Sequence, residues 1–190
     1  PLLKAGARPG DVLVLTKPLG TGVVLAASGA GECPARWHES ALASMHATNA
    51  RAAELLREAG ATACTDVSGF GLLGHTLEML EAGSVSAELE LDAIPVLPGA
   101  LELVGAGWRS TAAPGLTAAL GDTALPAEAA PGDARVEILL DPQTSGGLLA
   151  AIPEGRLAWF RTAAREAEVD LAAIGTVQLA SGDAPRLRMR

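Results

Sequence analysis

Hydrophobic and polar positions change period several times along the chain, and each change marks an element. Residues 11–16, DVLVLT, form a short apolar run bounded by Pro9-Gly10 and Pro18, the pattern of a strand buried on both faces. KPLGTG follows, residues 23–27 open a helix, and a loop over 30–34 ends it. Over 39–59, Leu42, Met45, Asn49, Ala52 and Leu56 recur at alternating three- and four-residue spacing. That spacing predicts one long helix with a single apolar face, which also carries His46, and Gly60 is its natural stop.

Residues 61–65 predict a short strand ending at Asp66, and 69–82 a helix whose first turns are rich in glycine. SAELEL, 86–91, alternates strictly, with Ala87, Leu89 and Leu91 on one face and Ser86, Glu88 and Glu90 on the other, as a half-exposed strand does. A turn at 95–98 leads into a short helix over 99–104. Residues 105–131, rich in Ala, Gly and Pro, predict loop and short helix. Two apolar runs, 135–140 and 148–152, predict strands joined as a hairpin by DPQTSGG. Pro153 opens a helix to about residue 168, 172–179 is a strand, and 187–190 can add another. Strands and helices alternate, yet the hairpin excludes a purely parallel sheet. The pattern therefore predicts an α+β fold with layered elements, in one domain over residues 1–190.

Composition narrows the function more than the fold. With 49% hydrophobic residues and a mean hydropathy of +0.29, the chain is not a disordered segment. A net charge of -8 argues against non-specific nucleic-acid binding, which needs clustered Lys and Arg. Aromatics are only 3% and Tyr is absent, so platforms for base stacking are scarce. An anionic nucleotide held through a divalent metal stays compatible with this charge. Cys33 and Cys64 form no CxxC pair, and three histidines make no zinc pattern. The two cysteines read as reduced thiols of a cytoplasmic protein, with a disulfide or redox role as the alternative. No apolar run approaches membrane-spanning length; 23–27 is far too short. The chain opens at Pro1 without an initiator Met, which fits a fragment or a processed product.

Chemistry concentrates in three segments. In TDVSGFGLLGH, 65–75, Asp66 follows a strand and Gly69, Gly71 and Gly74 open the next helix. Glycine costs a helix about 1 kcal/mol relative to Ala, so this density implies close backbone approach to something. Free amides at a helix start attract phosphate, and an Asp beside them suits a hard cation such as Mg²⁺. The same residues also suit a helix N-cap and tight helix–sheet packing. In TKPLGTG, 16–22, Lys17 precedes a glycine turn and a helix start, like a phosphate cradle but without Walker spacing; a plain strand-to-helix connection fits as well. DPQTSGG, 141–147, reads as a polar turn with a functional role open. Asn49 and His46 read either as a satisfied core pair or as support for a site, and His38 and His75 as surface or locally hydrogen-bonded residues. No nucleophile–base constellation is legible.

Taken together, LTKPLGTG (15–22), TDVSGFGLLGH (65–75) and LLDPQTSGGLL (139–149) closely resemble the C-terminal half of selenophosphate synthetases (selenide, water dikinases). DAIPVLPG (92–99) and AIGTV (173–177) fit in the same order. The resemblance implies a layered α/β/α domain like the C-terminal domain of the aminoimidazole ribonucleotide synthetase superfamily. It implies ATP and Mg²⁺ as substrate and cofactor, and conversion of selenide, ATP and water to selenophosphate, AMP and phosphate. It also implies a homodimer when full length, and a separate N-terminal domain that carries the catalytic Cys or selenocysteine, the catalytic Lys and most metal-binding Asp residues. No catalytic residue is then expected in this chain, and neither cysteine matches the nucleophile's motif. Asp66 matches a family ligand for the metals that bridge ATP phosphates; Lys17, Gly69 and Gly71 fall in the phosphate region. One departure is Leu116, where the family often has Asn. Two alternatives stand beside this reading: a non-catalytic module for structure or partner binding, and another ATP-using member of the superfamily, such as thiamine-monophosphate kinase or a hydrogenase-maturation protein.

Overall fold

A computed structural model describes residues 1–110, 133–181 and 186–190. Six strands form one sheet in the order β2-β4-β1-β5-β3-β6. The run predicted to be buried on both faces is β1 (Asp11–Leu15), and all five of its residues are buried. It pairs antiparallel with β4 (Leu148–Pro153) on one side and β5 (Ala172–Leu179) on the other. Outside these, β2 (Ala63–Asp66) pairs antiparallel with β4 and β3 (Val85–Leu89) antiparallel with β5. The edge strand β6 (Leu187–Met189) runs parallel to β3.

Side chains on a strand point alternately to opposite faces, and β1 uses this to serve two cores. Leu13 and Leu15 pack with α1 (Thr21–Gly29), α4 (Gly71–Gly83) and α5 (Ala100–Gly105) through Val23, Val24, Leu72, Leu73, Met79 and Leu103. Val12 and Val14 pack with α3 (Ala50–Glu58) and α7 (Leu157–Glu166) through Ala52, Leu55, Leu56 and Phe160. Helices thus cover both faces of a mixed sheet, the expected α/β/α layering within an α+β fold. In β3 the predicted alternation holds: Val85, Ala87 and Leu89 are buried while Ser86 and Glu88 are half-buried. Leu91 lies past the strand, in a 3₁₀ turn.

Two expectations need correction. Residues 39–59 are not one helix. They form α2 (Ala35–His46) and α3, separated at Ala47, whose backbone is extended. Ala41 of α2 belongs to the core on one face of the sheet, whereas Ala52, Leu55 and Leu56 of α3 belong to the core on the other. A straight helix cannot serve both. Leu42 and His46 are accordingly exposed, so no shared apolar face holds His46 beside Asn49. Residues 135–140 are not a strand either, and no hairpin exists there. They form α6 (Ala134–Glu137), started by the Asp133 carboxylate accepting from Arg135 N at 2.8 Å, and a 3₁₀ turn over Ile138–Leu140. Val136, Ile138, Leu139 and Leu140 are all buried, and a short run buried all round has no period to separate strand from helix. The predicted loop over 105–131 falls mostly, and Leu116 wholly, outside the described residues. Among the described residues no helix is long and apolar enough to cross a membrane.

Candidate functional site

Because β4 runs antiparallel to both β1 and β2, its first residue lies beside the last residues of those two strands. That topology brings all three singled-out segments to one end of the sheet. Thr16 N donates to Leu148 O at 3.1 Å and Leu148 N to Thr16 Oγ1 at 2.8 Å, while Val67 N donates to Gly147 O at 2.9 Å. TKPLGTG, TDVSGFG and DPQTSGG are thereby neighbours in space.

DPQTSGG is the centre of this assembly and not a plain turn. The α1 helix starts at Thr21 behind Gly20, which has no side chain to cap it. The cap comes from 119 to 123 residues away in the chain. Gln143 Oε1 accepts from Gly20 N at 3.0 Å, Thr21 N at 3.2 Å and Thr21 Oγ1 at 3.2 Å. Asp141 Oδ2 accepts from Gly22 N at 3.0 Å and from Gln143 Nε2 at 3.0 Å, and Gln143 Nε2 also donates to Asp141 O at 2.7 Å. Both side chains are buried. Burial pushes the Asp141 carboxyl up to about 6, against the downward pull of hydrogen bonds from Val23, Gln143 and Gly22. The amides that a phosphate would seek at the start of α1 are therefore engaged by protein.

Lys17 lies buried beneath the same loop. Its Nζ donates to Ala47 O at 2.6 Å and Ser145 O at 2.8 Å. Two of the ammonium's three protons are thus committed to carbonyls, and burial lowers its pKa. Ser145, in the left-handed region at φ 51, donates its hydroxyl to Met45 O at 2.8 Å, and Asn49 Nδ2 donates to Gly146 O at 2.8 Å. These four bonds fasten DPQTSGG to the joint between α2 and α3 and account for the half-buried Asn49. Gly147 has no room for a side chain: a Cβ there would come within 2.6 Å of Lys17 N.

Asp66 ends β2, and its side chain is exposed. Among the described residues its carboxylate accepts no hydrogen bond and joins no salt bridge, and no group of three or more His, Cys, Asp or Glu could hold a metal. A single free carboxylate fits one ligand position of a hard cation and leaves the others to be filled. It is not the N-cap of α4, a place taken by Phe70.

The glycines divide. Gly71, at φ +64, packs so closely on the 139–141 backbone that a Cβ would lie 2.6 Å from Leu139 O, and a Cβ at Gly74 would lie 2.7 Å from Phe70 Cβ. Gly69 is exposed with open space where a Cβ would be, and neither packing nor φ requires glycine there. His75, taken from sequence as a surface or locally bonded residue, is buried. Its Nε2 lies 3.2 Å from Ser68 Oγ and its Nδ1 3.1 Å from Glu78 Oε2, which also accepts from Lys4 Nζ at 2.8 Å. That lysine's hydrogen bond leads the causes lowering the Glu78 pKa. His38 Nδ1 lies 3.0 Å from Ser28 Oγ. His75 is thus locally hydrogen-bonded, as expected, though not at the surface; sequence reasoning missed the roles of Asp141 and Gln143. The available signal was a helix start without its own cap next to a polar run too apolar-flanked to sit in solvent.

Comparison with known proteins adds three findings. The family profile described as AIR synthase related protein, C-terminal domain, matches residues 8–187. Curated relatives named selenide, water dikinase include that of Caldanaerobacter subterraneus subsp. tengcongensis, 41% identical over 149 residues (78% of this chain, 42% of that protein). That of Geobacter metallireducens is 42% identical over 181 residues (90% and 49%). The chain spans about half the length of the curated relatives it matches. Among solved structures, a hydrogenase maturation protein HypE aligns with a TM-score of 0.69 at 19% identity, covering 99% of this chain and 51% of that one. Thiamine-monophosphate kinase from Stenotrophomonas maltophilia K279a aligns with a TM-score of 0.65 at 19% identity, covering 99% and 52%.

Proposed function

The chain belongs to the AIR synthase related protein family through its C-terminal domain, and from that premise we propose that it is the C-terminal part of an ATP-dependent selenophosphate synthetase. The full reaction would convert selenide, ATP and water to selenophosphate, AMP and phosphate. The observation that carries this reading is the Asp66 carboxylate, without a hydrogen-bond or ion-pair partner among the described residues, at the edge of an assembly built from all three motif segments. Relatives named selenide, water dikinase, at 41% and 42% identity, support the substrate; fold neighbours at 19% do not discriminate among ATP-using activities. One such neighbour, a HypE, was solved in complex with ATP.

In this reading Asp66 would hold one coordination position of a Mg²⁺ ion at the ATP phosphates. Such ions supply charge neutralisation and alignment in phosphoryl transfer. Gly69, unconstrained by packing, lets a phosphate approach the backbone without a side chain in the way. Lys17 belongs to the phosphate region through the loop it clamps; its two carbonyl bonds leave at most one proton for a direct contact. The nucleophile, the remaining metal ligands and the dimer contacts fall to an N-terminal domain, in a cytoplasmic homodimer. A lone Asp66 also favours a second reading for this polypeptide by itself, a stable module inactive until that domain is supplied.

The test combines this chain with its matching N-terminal half, Mg²⁺, ATP and selenide, and follows selenophosphate by phosphorus NMR. Product that requires both halves and disappears with Asp66→Ala is the expected result. Full product from Asp66→Ala would remove the metal role.

A further inference from the structure

The backbone that follows Asp66 is tied both to its own segment, where Gly71 N donates to Ser68 O at 3.1 Å and Ser68 Oγ lies 3.2 Å from His75 Nε2, and to DPQTSGG. Val67 N bonds Gly147 O at 2.9 Å, and Ser68 O accepts from Gln143 N at 3.0 Å. Both partners lie in DPQTSGG. Gln143 is locked at both polar atoms of its side chain: Oε1 to three donors at the start of α1, Nε2 to the carbonyl and carboxylate of Asp141. Thr144 N adds a bond to Thr21 Oγ1 at 2.8 Å. The path is short and continuous: first turn of α1, Gln143 amide, Gln143 backbone, Ser68 carbonyl, Asp66.

We propose that Gln143 is a positioning residue: its side chain, locked onto the start of α1, fixes the 67–69 backbone and thereby aims the Asp66 carboxylate at the cation site. The metal half of this statement rests on the reading of Asp66 given above; the backbone half does not. A glutamine suits the task because it accepts from the helix amides and donates to Asp141 at once. Glutamate would lack the donor and face the Asp141 carboxylate. Leucine, of similar volume, would leave the Gly20 and Thr21 amides without this acceptor and Asp141 without the Gln143 donor.

The experiment uses this chain as it is, with Gln143→Leu, Thr21→Val and Asp66→Ala beside the parent. Amide exchange by NMR reads the 67–69 backbone, and Mn²⁺ added alone reads the cation site through paramagnetic broadening of residues 65–69. Gln143→Leu should speed exchange of the Val67 amide about tenfold, the loss of roughly one buried hydrogen bond, while core amides of β1 keep their order of protection. Broadening of 65–69 should weaken in the same variant. Thr21→Val, which removes one of the three donors to Gln143, should shift both readouts the same way by less, and serves if Gln143→Leu does not fold. Unchanged Val67 exchange in whichever variant folds would overturn the proposal. If Asp66→Ala leaves the broadening as it was, the metal reading fails, and the exchange data alone decide whether Gln143 sets this backbone.

Discussion

At the residue scale, the sharpest consequence lies in Asp141. Its carboxyl holds a proton more tightly in the folded chain, with a pKa raised from 3.8 to about 6 by burial. A raised carboxyl pKa means that the folded state binds more protons than the unfolded one between those values, so stability is lost as pH rises from about 4 to about 6. The full effect of such a shift is on the order of 3 kcal/mol. Asp141→Asn keeps an acceptor for Gly22 and removes the titration. Relative to the parent, its urea midpoint should climb across that window, and a pH-independent difference would contradict the burial argument. Cys64 supplies a second case. Burial, then the nearby Asp66 charge, pushes its thiol up to about 11, so little thiolate exists at neutral pH. Iodoacetamide should label half-exposed Cys33 and spare Cys64 until the chain unfolds, as mass spectrometry of the folded chain would show. Asp66 was singled out from sequence because a carboxylate between a strand and a glycine-rich helix start is a local pattern. Asp141 and Gln143 were not, because their partners lie 119 to 123 residues away and no spacing records that.

At the scale of elements, the alternation of β3 could be read directly, since a period of two survives whatever packs on it, and β1 as an apolar run set off by Pro9-Gly10 and Pro18. The breaks could not. The separation of α2 from α3 depends on Lys17 taking the Ala47 carbonyl and on the two helices serving opposite faces of the sheet, both tertiary facts. The apolar run at 135–140 gave no period at all. Lys17→Met tests the clamp at this scale. It leaves Ala47 O and Ser145 O without their donor, and should destabilise the chain by about 1–3 kcal/mol in chemical denaturation. A variant as stable as the parent would show that water replaces the ammonium without loss. Gly147→Ala should cost about 1–3 kcal/mol for a different reason, the collision of its Cβ with Lys17 N.

For the whole molecule, one geometric fact organises the account: β4 begins where β1 and β2 end, so segments far apart in sequence close around one end of the sheet. Family membership and the layered fold were reachable from the motifs and their order. The most direct measurement of the central claim is a crystal of this chain joined to its N-terminal half, grown with Mn²⁺ and a non-hydrolysable ATP analogue. The Mn²⁺ would be located by its anomalous scattering. The account predicts an ion about 2.1–2.3 Å from an Asp66 carboxylate oxygen, in contact with nucleotide phosphate. Nucleotide and metal bound together, with Asp66 beyond the reach of both the ion and its water ligands, would contradict it.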